Sequence, residues 1–156
     1  SPRAENLLVR VLKFSTGCGG LEELHGFKLL SDIDPNGYPL PKPAGMTPLY
    51  DAVYSSIGAS NAYAKLLYDD DFLANGILFI ITDGCENASV ATATMIKAEI
   101  EKARVGEHME SLVTVFVGIN VCTTRQVLVK SRRSWRKSRL SRRATRCKWS
   151  AAVRSR

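Results

Sequence analysis

Apolar positions follow two rhythms along this chain. From Leu7 to Phe14 they are nearly consecutive, broken only by Arg10 and Lys13, and the run closes on Ser15-Thr16-Gly17. This pattern predicts a strand, followed by a turn at Gly17-Cys18-Gly19-Gly20. His25–Leu30 predicts a short edge strand, and proline-rich Asp32–Pro43, with Asn36-Gly37, a loop. The period then changes. Leu49, Val53, Ile57, Ala64 and Leu67 recur at helical spacing, with Thr47 at the expected N-cap and Pro48 at the first helical position. This helix is expected to end before Asp69-Asp70-Asp71, a solvated turn without the alternating oxygen ligands of an EF-hand.

Asn75-Gly76 turns the chain into Ile77–Thr82, an unbroken apolar run of the kind buried on both faces of a parallel sheet. Asn87 or Ser89 is expected to cap a second helix, whose stripe is Ala93, Ile96, Ile100 and Ala103 and whose end lies near Gly106. Leu112–Val117, closed by Gly118, is another buried strand. Strand, helix, strand, helix and strand in this order predict right-handed βαβ units. The expected class is α/β, a doubly wound and mostly parallel open sheet flanked by helices.

Composition changes this picture mainly through the distribution of charge. At 156 residues and 45% apolar content the chain can bury one domain core. Residues 1–120 carry nine Lys/Arg and all fifteen Asp/Glu, a net −6, whereas residues 121–156 carry thirteen Lys/Arg and no acid, a net +13. An acidic domain is therefore joined to a basic tail, and a single isoelectric point describes neither. The longest apolar run is far short of a membrane span. Ser1–Asn6 reads as a cut within a longer protein rather than a signal peptide. Cys18, Cys85, Cys122 and Cys147 have no CxxC spacing and no nearby histidine, which predicts free thiols in a reducing, cytoplasmic compartment.

The candidate chemistry lies in two segments. Gly45-Met46-Thr47-Pro48-Leu49-Tyr50-Asp51-Ala52 is a loop running into a helix, and Phe79-Ile80-Ile81-Thr82-Asp83-Gly84 is a strand ending on an aspartate. A hydroxyl and a carboxylate at the C-terminal edge of a sheet suit a hard divalent cation. Together these segments resemble the von Willebrand factor A (vWA) domain family, in wording closest to bacterial intracellular members. The resemblance covers about Leu7 to Asn120, so that residues 1–120 read as a partial vWA-like domain.

Domains of this family bind Mg²⁺ or Mn²⁺ with an Asp-x-Ser-x-Ser loop, a Thr and an Asp, and the cation completes its shell with a carboxylate from a protein partner. The resemblance assigns Thr47 and Asp83 to the second and third loops. Asp-x-Ser-x-Ser is absent from this chain, and the strand it follows in the family would lie upstream of Ser1. The resemblance therefore implies a non-catalytic protein-binding domain whose metal site is weakened. Thr47 as a plain helix cap and Asp83 as a plain turn residue are the competing readings. Cys85 is read as inert and Glu86 as solvent-facing.

Two other functions compete with this one. Arg132, Arg133, Trp135, Arg136, Arg142 and Arg143 in the tail could grip phosphates and stack on bases, with Trp149 further along. Against this, an acid-free Ser/Arg run stands where a final helix and strand should be, which favours a disordered or out-of-frame tail. A Mg²⁺-dependent phosphohydrolase would want Asp-x-Asp after its first strand. Asp32-Ile33-Asp34 has the letters, but it sits in a loop beside Pro35. His25 and His108 show no nucleophile or acid partner, and there is no Gly-x-Ser-x-Gly elbow.

Overall fold

The structure is a computed structural model and describes residues 6–40, 42 and 44–119, together with the backbone of 129–132. Strand β1 (Leu8–Ser15) pairs antiparallel with β2 (Gly20–Leu29). They are joined by a 3-10 turn, Thr16–Cys18, followed by Gly19 and Gly20, both at positive φ. The two charges that interrupt β1 are used across the ladder, Arg10 pairing with Glu23 and Lys13 with Glu22. β2 begins well before the short strand expected at His25, because these pairs carry it back to the turn.

Helix α1 (Leu49–Asp69) buries Leu49, Ala52, Ile57 and Ala64. Strand β3 (Ala74–Thr82), helix α2 (Ala93–Val105) and strand β4 (Met109–Gly118) form a parallel βαβ unit, in register from Ile77 opposite Val113 to Thr82 opposite Gly118. Strand β5 (Val129–Arg132) lies antiparallel to β4. The protein is thus mixed α/β, with two small sheets, β1–β2 and β3–β4–β5. The core lies between the two helices and one face of β3 and β4. Ile57 is 1% exposed at its centre, among Ala64, Ala103, Met109 and Leu112, with Val53, Leu78, Ile96 and Ile100 packed around it.

Four local expectations are corrected. β3 is not buried on both faces. Ile80 and Thr82 point into the core, whereas Ile77, Phe79 and Ile81 are 64%, 63% and 59% exposed. Both helices cover the same side of the sheet, so the hydrophobic run reflects composition rather than two-sided burial.

Thr47 is not the N-cap of α1. That position is Pro48, which makes no side-chain cap bond. Asn87 and Ser89 do not cap α2, whose cap is Thr92, accepting from Met95 N. The stripe on α2 holds at Ile96, Ile100 and Ala103, which lie in or against the core, with Glu99 buried beside them and only Ala93 exposed.

No strand was expected beyond residue 120, yet residues 129–132 supply one. A short charged strand can complete a sheet edge through its backbone alone.

Candidate functional site

The C-terminal ends of β1 and β3 meet at the entry to α1. On the β1 side, Thr16 N donates to Met46 O (2.9 Å) and Met46 N donates to Thr16 Oγ1 (2.7 Å). Gly45, at φ 79°, makes the bend that allows this approach. On the β3 side the loop 83–91 wraps the start of the helix.

A helix leaves its first amides without intrahelical partners. Here Pro48 has no amide to satisfy, and Leu49 N donates to Thr47 O (2.9 Å). Tyr50 N donates to Glu86 Oε2 (2.7 Å) and Asp51 N to Ser89 Oγ (3.1 Å). The caps of α1 are therefore supplied from the loop after the next strand, and the helix needs no cap from Thr47.

The loop receives as much as it gives. The Asp51 carboxylate accepts from Val90 N (3.1 Å) and Ala91 N (2.6 Å). Asn87 Oδ1 accepts from Thr47 N (2.6 Å), and Asn87 N donates to Thr47 O (3.3 Å). Glu86 is the hub. Its Oε1 accepts from the amides of Ala88 (3.0 Å) and Ser89 (2.8 Å), and its Oε2 accepts from the Ser89 hydroxyl (2.7 Å). Burial pushes the Glu86 carboxyl up, but the Ser89 hydroxyl and the amides of Ser89, Tyr50 and Ala88 outweigh it and hold the pKa below its ordinary value. Glu86, expected to face solvent, is instead the main clamp between two loops.

This clamp places the two residues singled out in the sequence. Thr47 is half-buried, and its hydroxyl faces Gly84, where a Cβ would stand only 2.6 Å from Thr47 Oγ1. The Thr47 side chain therefore lies against the residue that follows Asp83. Asp83 is exposed, and among the described residues its carboxylate makes no hydrogen bond or ion pair. Thr82 Oγ1 accepts from Gly84 N (3.2 Å) and fixes the turn at the strand end.

Thr47 and Asp83 offer one hydroxyl and one carboxylate, both hard oxygen donors, but no cluster of three or more His, Cys, Asp or Glu able to hold a metal occurs among the described residues. The set suits Mg²⁺ or Mn²⁺ in kind and falls short in number, so most of an octahedral shell would have to come from water or a partner.

Other sequence candidates lie elsewhere. His25, which showed no partner in the sequence, has Tyr38. Its Nδ1 donates to Gly26 O (2.7 Å), which leaves Nε2 to accept from the Tyr38 hydroxyl (2.6 Å). That pair pins the loop after β2. Arg132 falls on β5, where only the backbone is described, and Arg133, Trp135, Arg136, Arg142 and Arg143 lie outside the described residues. No helix among the described residues is long and apolar enough to cross a membrane.

No family model matches the chain, and neither a curated protein nor a solved structure matches it.

Proposed function

We propose that the chain is a non-catalytic protein-interaction module, a partial vWA-like α/β domain acting in the cytoplasm. On this reading the paired ends of β3 and α1 present Thr47 and Asp83 to a Mg²⁺ or Mn²⁺ ion shared with a carboxylate of a protein partner. The observation that carries the reading is the contact between Thr47 Oγ1 and Gly84, beside an Asp83 carboxylate that has no other engagement among the described residues. Two loops are locked by Glu86, Asn87 and Asp51, while the two free oxygen donors beside them take no part in the locking. With only two protein ligands, affinity for the cation alone is weak, and partner and cation stabilise each other.

Thermal unfolding in EDTA, then in millimolar Mg²⁺ or Mn²⁺, tests this proposal. Tenfold excess over the dissociation constant stabilises a native-state site by about 1.4 kcal/mol. The expected result is a metal-dependent rise in Tm for the unsubstituted chain that Asp83→Ala abolishes. A transition indifferent to both cations, or an equal rise in Asp83→Ala, would remove the metal from the function.

The charge asymmetry favours a second reading, nucleic-acid binding through residues 121–156. Neutralising several phosphates makes affinity fall steeply with salt. Binding to a mixed-sequence oligonucleotide should then weaken steeply as salt rises and vanish on deletion of 133–156. Salt-independent binding, or none, would exclude it.

A further inference from the structure

Between Val9 and Leu12, β1 advances three residues, while its partners on β2, from Lys28 back to Glu23, advance five. β2 thus carries two extra residues, one on each side of His25, and such bulges re-aim the side chains around them. In a regular strand His25 would point away from both Leu24 and Lys28. Here all three line one cavity of about 230 Å³, closed on its other side by the loop 32–39. That loop is held by its own bonds. Asp34 Oδ1 accepts from Asn36 N (2.9 Å), Gly37 N donates to Asp34 O (3.1 Å), and Tyr38 is fixed to His25.

One proton sets the polarity of the wall. His25 Nδ1 donates to Gly26 O (2.7 Å), so in the neutral ring Nε2 takes the proton of the Tyr38 hydroxyl (2.6 Å). The Tyr38 oxygen then offers the cavity lone pairs alone. Asp34 Oδ2, beside Gly37, is a further acceptor, and so is Asp32, whose Oδ1 takes the Ser31 hydroxyl (3.1 Å). Lys28 brings the one ammonium of the lining. Among the described residues no ion pair joins Lys28 to Asp32 or Asp34, although all three line the same cavity.

Opposite charges that share a cavity without pairing suit a molecule that carries both signs. An amine alone would be opposed by Lys28, and a carboxylate alone by two aspartates. Size narrows the choice further. At about 30 Å³ per water the cavity holds roughly seven waters, and it falls below the 300 Å³ or so at which pockets for larger ligands begin. We propose that it is a binding site for a free α-amino acid with a small apolar side chain. The carboxylate pairs with Lys28, the ammonium donates to the Tyr38 oxygen and to Asp34, and the side chain lies against Leu24, Ile33 and Pro39. The site involves neither Thr47 and Asp83 nor the basic tail, so it stands or falls apart from both functional readings.

Titration of the full chain with L-valine in EDTA, followed by amide NMR shifts, tests it. Lys28, Asp32 and Asp34 are exposed, so binding is weak, with an expected Kd on the order of millimolar. The largest shifts should fall at His25, Gly37 and Tyr38. Isobutylamine, which is valine without its carboxylate, and isovalerate, which is valine without its ammonium, should each bind about fivefold more weakly or worse. Asp34→Asn keeps an oxygen for Asn36 N but loses the charge, and Lys28→Gln loses the ammonium at an exposed position. Each should weaken L-valine by a similar factor. The analogue series uses the unsubstituted chain, so its outcome does not depend on how the variants fold. The proposal is overturned if L-valine gives no saturable shifts, if the shifts lie away from residues 24–39, if either analogue binds as tightly as L-valine, or if either variant binds it as tightly as the unsubstituted chain.

Discussion

Glu86 Oε2 accepts from the Tyr50 amide at 2.7 Å, a bond that spans 36 residues and makes the loop after β3 the cap of α1. A helix start is ordinarily satisfied by its own neighbours. Here the cap is tertiary, so the helix start and the loop carrying Asp83 hold each other in place.

Glu86→Ala should therefore cost more than a typical surface substitution. It removes one acceptor from Tyr50 and orphans the amides of Ala88 and Ser89. Loss of a cap plus charge-assisted bonds amounts to about 2 kcal/mol, which corresponds to a fall of about 6 °C in Tm for a domain of this size. Calorimetry should show it, and a loss within 0.5 kcal/mol would mean that water replaces the carboxylate.

The same residue sets a pH dependence. Its pKa in the folded protein lies below the ordinary glutamate value. Such a group contributes stability that is fully present above the unfolded pKa, about 4.3, and is lost as pH falls through the lower folded value. Glu99 acts in the same direction, its carboxyl lowered chiefly by Lys102, against burial, and further by Asn61. Stability should decline on acidification below the ordinary carboxylate range. In Glu86→Gln the decline should be shallower, as measured by urea midpoints at successive pH values. An unchanged slope would remove Glu86 as a contributor.

The parallel unit was legible because its signals are local. The apolar runs of β3 and β4 and the spacing of Leu49, Ile57 and Ala64 report their own structure. The capping was not legible, because Glu86, Asn87 and Ser89 are the types expected in any turn, and only the fold brings them to α1. Asn87 and Ser89 point in sequence to the nearer helix α2, and Glu86 to solvent. β3 misled for the opposite reason. Ile77, Phe79 and Ile81 are as apolar as Ile80, so hydropathy alone could not show that one face lacks a cover. Of the candidate site, Thr47 and Asp83 were found by resemblance, while the means of holding their loops together was visible only in three dimensions.

Between the helices, the buried Glu99 gives a prediction about which partner matters. Asn61 Nδ2 donates to both Glu99 O and Glu99 Oε1 at 3.0 Å, and Lys102 Nζ lies 2.8 Å from Oε2. The Lys102 side chain is 68% exposed, so water screens its attraction, and Lys102→Ala should cost under about 1 kcal/mol. Asn61→Ala leaves a buried carboxylate oxygen and a main-chain carbonyl short of a donor and should cost about 2 kcal/mol. The order of the two losses in denaturant unfolding is the test; a larger loss for Lys102→Ala would make the ion pair dominant.

Gly84→Ala separates the site from the stability of the fold. The residue is outside the left-handed region, and the one tight contact an added methyl would make is with the Thr47 hydroxyl, 2.6 Å from where Cβ would stand, Thr47 Cβ and Cγ2 lying at ordinary contact distances of 3.5 and 3.8 Å. That oxygen can rotate away about χ1, which keeps the expected loss of stability below about 1 kcal/mol. The rotation moves the Thr47 hydroxyl from its place against Gly84 while leaving Glu86, Asn87 and Asp51 in place. Gly84→Ala should therefore unfold near the unsubstituted protein in EDTA and lose most of its response to Mg²⁺ or Mn²⁺. If the metal response survives in Gly84→Ala but not in Asp83→Ala, Thr47 is a packing residue and Asp83 alone carries the cation. If stability collapses in EDTA as well, the close approach of these two loops serves the fold before it serves any ligand.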